Sequence, residues 1–315
     1  MGRYILKRLG QAVVIILIIT IFTFSLTYLT PGDPVYAVLG SDITQEQYDM
    51  QYIKMGLDKP LIVRYLLWLG GLFRGDFGDS FKYHQPVAEL IAQRLPVTLY
   101  LGLLSIVIGT ILGILFGVVC AVKRGKWIDN VITILANIGA VIPLFWLAVL
   151  GMYIFSMKLG WLPSYGFTLP WVDFSKSVQQ TIMPLFALTL GSISMMCRQM
   201  RSGMLEVIRQ DYMRTARAKG LAEREVILNH GLKNALIPAV TLMGISFKNA
   251  VAGSTSIEII FNIAGMGQLL VNSITSKDIA VTQACILVIA IVVCLSNLLT
   301  DISYGYLDPR IRNLE

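Results

Sequence analysis

Runs of apolar residues about twenty long dominate this chain, and each is long enough to cross a hydrocarbon core of roughly 30 Å as a helix. Six are present, approximately Leu9–Leu29, Thr98–Val122, Val131–Phe155, Gln180–Met200, Leu236–Ile260 and Ala280–Asp301. Backbone in lipid has no water to bond, so such runs must satisfy their own N–H and C=O groups as helices. The expected fold is therefore all-α: a polytopic membrane protein with six transmembrane helices. Composition agrees. Of 315 residues, 55% are hydrophobic and 14% are charged, against about 25% charged in soluble domains, and the mean hydropathy is +0.68. Arg3, Lys7 and Arg8 precede the first run as they would in a signal peptide. Its apolar stretch is too long for one, however, and no A-x-A site follows, so it is expected to stay as an anchor.

Basic residues set the direction, because short cytoplasmic segments carry an excess of Lys and Arg. Arg3, Lys7 and Arg8, then Lys123, Arg124 and Lys126, then eight cations between Arg198 and Lys233, then Arg310 and Arg312 all fall on one side, whereas the short loops of the other side hold only Lys158, Lys176 and Lys277. Both termini are expected to be cytoplasmic. The first outer loop, Thr30 to Val97, is too long for the rule to apply. The net charge of +7 is thus sorted by membrane side, which argues against a nucleic-acid partner.

Two spans look irregular. The fourth is short and interrupted by Pro184; the fifth has Pro238 near one end, Lys248 in its middle and the small polar run Ala252 to Ser256. Such breaks are tolerated where neighbouring helices or a wet cavity satisfy the freed backbone, which suggests a bundle around a pathway. The four cysteines and two histidines are scattered without metal-ligand spacing, so no metal site is expected.

Between the fourth and fifth runs lies a polar island. Asp211 favours a helix start, Lys219 sits in the last turn and Gly220 supplies a stop. A second helix is expected from near Glu223 toward Pro238, with Leu228, Leu232, Ala235 and Leu236 on one stripe. Ala216, Ala218 and Gly220 offer a low-relief surface, and Arg214 and Arg217 can add charge-assisted contacts. The alternative is that these cations serve only to enforce topology.

The island, DYMRTARAKGLAEREVILNHGLKNALIP, resembles the cytoplasmic EAA-type loop of binding-protein-dependent ABC importer permeases, in particular the dipeptide, oligopeptide and nickel branch. Arg214, Thr215 and Ala216 take the places of Glu-Ala-Ala, Gly220 matches the motif glycine, and Ile237-Pro238 closes the motif after a longer gap. The resemblance extends in order through TPGDPV (30–35), MGLDKPLIVRYLLWLGGLFRGDFGDSF (55–81), RLPVTLYL (94–101) and IEIIFNIAGMGQLLVNSI (257–274), with Ala264 standing where the family often has proline.

The resemblance implies a type I ABC importer permease fold whose coupling helix, Asp211 through Leu221 (Asp211, Arg214, Thr215, Ala216, Arg217, Ala218, Lys219, Gly220, Leu221), enters a cleft on an ATPase subunit. It further implies two cytoplasmic ABC ATPases, a second homologous permease subunit, an extracytoplasmic substrate-binding protein, and a place in a bacterial or archaeal inner membrane. The chain has no GxxxxGK[ST] loop of its own, so ATP and Mg are expected in the partner ATPases and no cofactor in this chain. It is expected to be non-catalytic. The family division is an N-terminal helix and long outer loop (1–93), a core (94–305) and a cytoplasmic tail (306–315).

Further candidates follow. A charge at Lys248, near the midplane, costs on the order of 2.5 to 3.5 kcal/mol and so should face a path or pair with the other permease subunit. Ser254 and Glu258 join it as pathway or bundle-interior candidates, Glu258 the more structural of them. Gly32, Asp33 and Asp76 are candidates for docking the binding protein through the outer loop, against a plain solvated ectodomain. Leu61 to Phe73 is too short to span and is expected on the outer membrane face or in a small cap. Met195, Met196, Asn137 and Asn297 either line a passage or pack. Peptides are the cargo implied, with nickel, metal chelates, glutathione or sugars as alternatives. A gradient-driven carrier, a membrane enzyme and a non-transporting scaffold fit less well, since no repeat, acid relay or clustered nucleophile and base is visible.

Overall fold

The computed structural model describes residues 2–29, 33–40 and 42–307. It is helical nearly throughout: α1 (Gly2–Leu29), α2 (Pro34–Leu39), α3 (Gln45–Lys54), α4 (Leu61–Leu72), a two-residue antiparallel pair β1 (Asp79–Ser80) and β2 (Gln85–Pro86), α5 (Val87–Val122), α6 (Trp127–Val141), α7 (Leu144–Gly151, continued by a π-helical turn at Met152–Lys158) and α8 (Phe174–Val207). Then come α9 (Asp211–Ala218), α10 (Glu223–Glu225) running through a π-helical segment (Val226–Leu232) into α11 (Lys233–Ala235), α12 (Ile237–Ile260), α13 (Met266–Thr275) and α14 (Ile279–Leu307).

Four of these helices are long and apolar enough to cross a membrane, within α1, α5, α8 and α14. The third apolar run departs from expectation. Instead of one helix over Val131–Phe155, α6 and α7 meet at a 104° bend. Pro143 has no N–H to give the helix and its ring pushes the preceding residue out of helical geometry; Ile142 accordingly sits at ψ 126. Counted as one span, the bent pair is the fifth. The fourth run corrects the expectation the other way: α8 continues unbroken for 34 residues with Pro184 buried inside it. The fifth run forms α12, 24 residues and so about 36 Å long, although several of its side chains, Lys248 among them, lie outside the described residues.

The chain divides into two compact bodies. In the first, built on Thr98–Ile263, α5 and α8 pack through Gly109, Gly113 and Gly117, one glycine per helical turn. A Cβ at Gly113 would stand 2.5 Å from the Met196 Cβ, and one at Gly117 the same distance from the Met200 Cβ. Small residues at this spacing let backbones approach closely enough for dispersion to hold helices together in lipid, where the hydrophobic effect cannot. Gly139 does the same for α6, facing Leu190 and Ser194 of α8. In the second body, Val87, Leu90, Ile91, Met266, Leu269, Val281 and Cys285 form the core. Asp278 caps α14 there: it is fully buried, accepts the Val281 N–H (3.3 Å) and is held by the Ser80 hydroxyl at 2.6 Å.

Candidate functional site

The polar island folds as a helical hairpin seated on the C-terminal end of α8. Only Ile208, Arg209 and Gln210 separate α8 from α9, so the short helix follows any movement of the long one. Met213 and Ala216 of α9 are buried against Val226, with Val207 and Ile208 beneath them. Gly231 leaves room for the ends of Met213 and Met204, which a Cβ there would meet at 3.3 and 3.4 Å. The Asn234 amide donates to the Tyr212 hydroxyl at 3.0 Å, which closes the hairpin.

Asp211 opens α9 and Lys219 caps it, as the cap signals indicate. Gly220 follows at φ +77, a left-handed conformation that glycine adopts without strain. No atom lies within 4 Å of a Cβ built there, so the glycine is needed for its backbone and not for space beside its own chain.

The low-relief surface is not as expected. Ala216 is only 6% exposed and faces the second limb of the hairpin; its small side chain lets that limb approach. Arg217 is likewise turned to its own chain. Its guanidinium donates twice to Glu223, at 2.9 and 3.0 Å, which holds the Glu223 carboxyl below its ordinary range and raises the arginine. The outward face consists of Arg214, Thr215, Ala218, Lys219, Gly220 and Leu221, all exposed. Arg214 makes only a long contact to Asp211, 3.7 Å between two well-exposed groups.

Six residues before the end of α8, Arg201 reaches across to Asp129 in the first turn of α6. The two form a forked pair, Nε to Oδ1 at 2.8 Å and a terminal nitrogen to Oδ2 at 2.9 Å. Asp129 is 2% exposed and also accepts the Gly125 N–H at 3.1 Å and the Thr133 hydroxyl at 3.3 Å. Four donors around one carboxylate are what make a buried charge tolerable. The pair ties the connection between α5 and α6, and α6 with it, to the helix that carries the island. The sequence reading missed it, since nothing local pairs residues 72 positions apart. The glycine stripe at Gly109, Gly113 and Gly117 was missed too, although its GxxxGxxxG spacing is legible.

Among the remaining candidates, Glu258 is fully buried near the end of α12 and accepts the Thr98 hydroxyl from α5 at 2.7 Å. Ser254, also fully buried, bonds back to Val251 O at 2.8 Å. Both are bundle-interior residues. Met196 packs in the α5–α8 interface, whereas Met195, with Leu147, Ser192 and Ser246, lines a cavity of about 260 Å³. In the outer loop, Asp33 caps α2 through the Val35 N–H (2.8 Å) and accepts the Tyr48 hydroxyl (2.6 Å), which drives that phenol up to about 12. Asp76 is exposed and holds a turn through the Gly78 N–H. The geometry gives both aspartates local structural tasks. Gly32 lies outside the described residues.

Several helices long and apolar enough to cross a membrane, with a compact hairpin on the C-terminal end of one of them, define a polytopic helical membrane protein. The model of the binding-protein-dependent transport system inner membrane component family matches residues 113–313, and the model of that family's N-terminal part matches residues 1–102. The chain belongs to this family. A putative peptide transport system permease protein of Brucella abortus is 42% identical over 313 residues, 99% of each chain. The oligopeptide transport system permease protein AppB of Bacillus subtilis is 38% identical over 314 residues, and the glutathione transport system permease protein GsiC of Salmonella choleraesuis 39% over 312, again with 99% of each chain covered. Among solved structures, the inward-facing MetNI methionine ABC transporter aligns at TM-score 0.57 with 21% identity, covering 70% of this chain and 96% of that one. That likeness concerns the fold.

Proposed function

We propose that this chain is one permease subunit of an ATP-driven importer of di- or oligopeptides, and that the α9 hairpin receives the stroke of a partner ATPase. The supporting observation is the outward face of Arg214, Thr215, Ala218, Lys219, Gly220 and Leu221, all exposed, on a hairpin whose other face, Met213 and Ala216, packs against Val226 and the end of α8. A docking face of this kind transmits force only if its support is stiff, and the Met213–Ala216–Val226 cluster supplies that stiffness. ATP and Mg belong to the partner subunits. A second homologous permease completes the pathway, two ATPases sit below, and an extracytoplasmic binding protein delivers cargo. Counting the bent pair and α12 gives six crossings in the inner membrane with both termini inside. We keep the division of the chain at residues 93 and 305, and Lys248 as a pathway or inter-subunit residue.

Peptide is the cargo favoured by the names of the Brucella and Bacillus relatives; glutathione, itself a small peptide, is the cargo named for the Salmonella relative. The test is uptake of labelled di- and oligopeptides, glutathione and nickel by vesicles containing the whole assembly. ATP-dependent peptide uptake that survives collapse of ion gradients is the expected outcome. Uptake that follows the gradient and ignores ATP refutes the reading.

A further inference from the structure

In the second body, α4 is a helix that is apolar on two sides, with Arg64 as its one charged residue. Its inner side packs on α1: the Tyr65 and Trp68 rings lie 5.5 and 5.6 Å from Phe24, and the Tyr65 hydroxyl shares a 2.9 Å hydrogen bond with Thr20. Its outer side is apolar as well, with Ile62 71%, Leu66 58%, Leu67 56% and, just past the end, Phe73 84% exposed. Ile62, Leu66 and Phe73 recur at helical spacing on one stripe, and the helix's single charged residue, Arg64, half-buried, lies off that stripe on the side of Trp68. Twelve residues make about 18 Å of helix, too short to cross a membrane.

We infer that α4 lies in the membrane surface, at the leaflet that meets the C-terminal end of α1, with its Ile62–Leu66–Phe73 face against lipid. Two features single out lipid as the occupant. The first is continuity. The α1 face beside it exposes Val14, Ile18, Ile21 and Phe22, a surface that a spanning helix turns to acyl chains, and α4 extends it sideways. The second is depth. Thr20 and Phe24 both fall within the apolar span Ile5–Ser25 of α1, near its C-terminal end, so the contacts that anchor α4 are made beside a segment long and apolar enough to cross the hydrocarbon. Cations flank the helix where phosphates would lie, Lys59 just before it and Arg74 just after, both exposed. The consequence is a lipid-bound brace that fixes the outer loop at a set height, and it stands whatever the cargo is.

Spin labels at Ile62→Cys, Leu66→Cys and Phe73→Cys, with Glu46→Cys on α3 as the aqueous reference, test this in the assembled transporter in nanodiscs. The four native cysteines are buried and escape brief labelling. Collisional relaxation by oxygen should exceed that by a water-soluble nickel chelate by about threefold or more at the three α4 sites, as expected of a helix half-immersed in acyl chains, with the reverse order at position 46. Greater access to the nickel chelate at the α4 sites overturns the inference by showing a solvated helix. Shielding from both relaxants overturns it equally, by showing that protein covers this face.

Discussion

At the scale of single residues, Gly220 is the sharpest test of the hairpin. Because its φ is +77 and its surroundings are open, Gly220→Ala strains the turn by about 1 kcal/mol without adding a clash inside the chain. Gly220→Trp adds bulk to the proposed docking face as well. Alanine should weaken ATPase recruitment modestly, and tryptophan should abolish it or uncouple hydrolysis from uptake, with membrane insertion intact in both; copurification and the uptake-to-hydrolysis ratio read the difference. Equal, normal recruitment by both variants removes the docking role. Glu223 supplies a pH test. Its folded pKa is depressed by Arg217, so the pair's contribution is present above the carboxyl's unfolded value and is lost as pH falls through the folded one. Both groups are partly exposed, 36% and 57%, so the effect should be a few tenths of a kcal/mol. Amide protection factors in the hairpin, corrected for the slower intrinsic exchange in acid, should fall by less than about twofold as pH drops below the carboxyl's ordinary value of 4.5, and Glu223→Gln should flatten that response.

At the scale of elements, the helix contacts decide what moves together. Gly113→Leu drives a side chain into the Met196 stem and the Ile193 carbonyl, and overpacking of this kind costs typically 1–3 kcal/mol or more; the melting temperature of the purified assembly should fall, while Gly10→Leu, facing open space on α1, should leave it unchanged. The Asp129–Arg201 fork makes a different prediction. Asp129→Asn leaves Arg201 without its counter-charge. Since Arg201 keeps 32% exposure, the loss should be about 1–3 kcal/mol, short of that for a fully buried pair. Replacing both by an apolar pair should recover most of the stability. If the fork also carries motion from α8 to α6, the double variant regains its melting temperature but not its uptake per ATP.

At the scale of the whole molecule, apolar run length and motif order in the sequence were enough to read a helical membrane permease, because crossing a bilayer imposes constraints that act on runs of twenty residues and are written locally. The ends of α9 were legible for the same reason, as caps and a left-handed glycine are properties of adjacent residues. What faces what was not legible. Periodicity on an eight-residue helix could not tell that Ala216 turns inward to Val226 while Ala218 turns out, nor that Arg217 is occupied by Glu223. Proline marked both the third and fourth runs, yet α7 breaks from α6 at Pro143 and α8 absorbs Pro184, because the outcome depends on whether packed neighbours hold the helix straight. The sequence by itself determined that the chain is built of long apolar helices and where α9 begins and ends. Only the tertiary structure decided that Asp129 meets Arg201, that glycines 109, 113 and 117 meet α8, and that α4 leans on α1, since each rests on side chains distant along the chain whose meeting is settled by packing and by the cost of leaving a buried charge without partners.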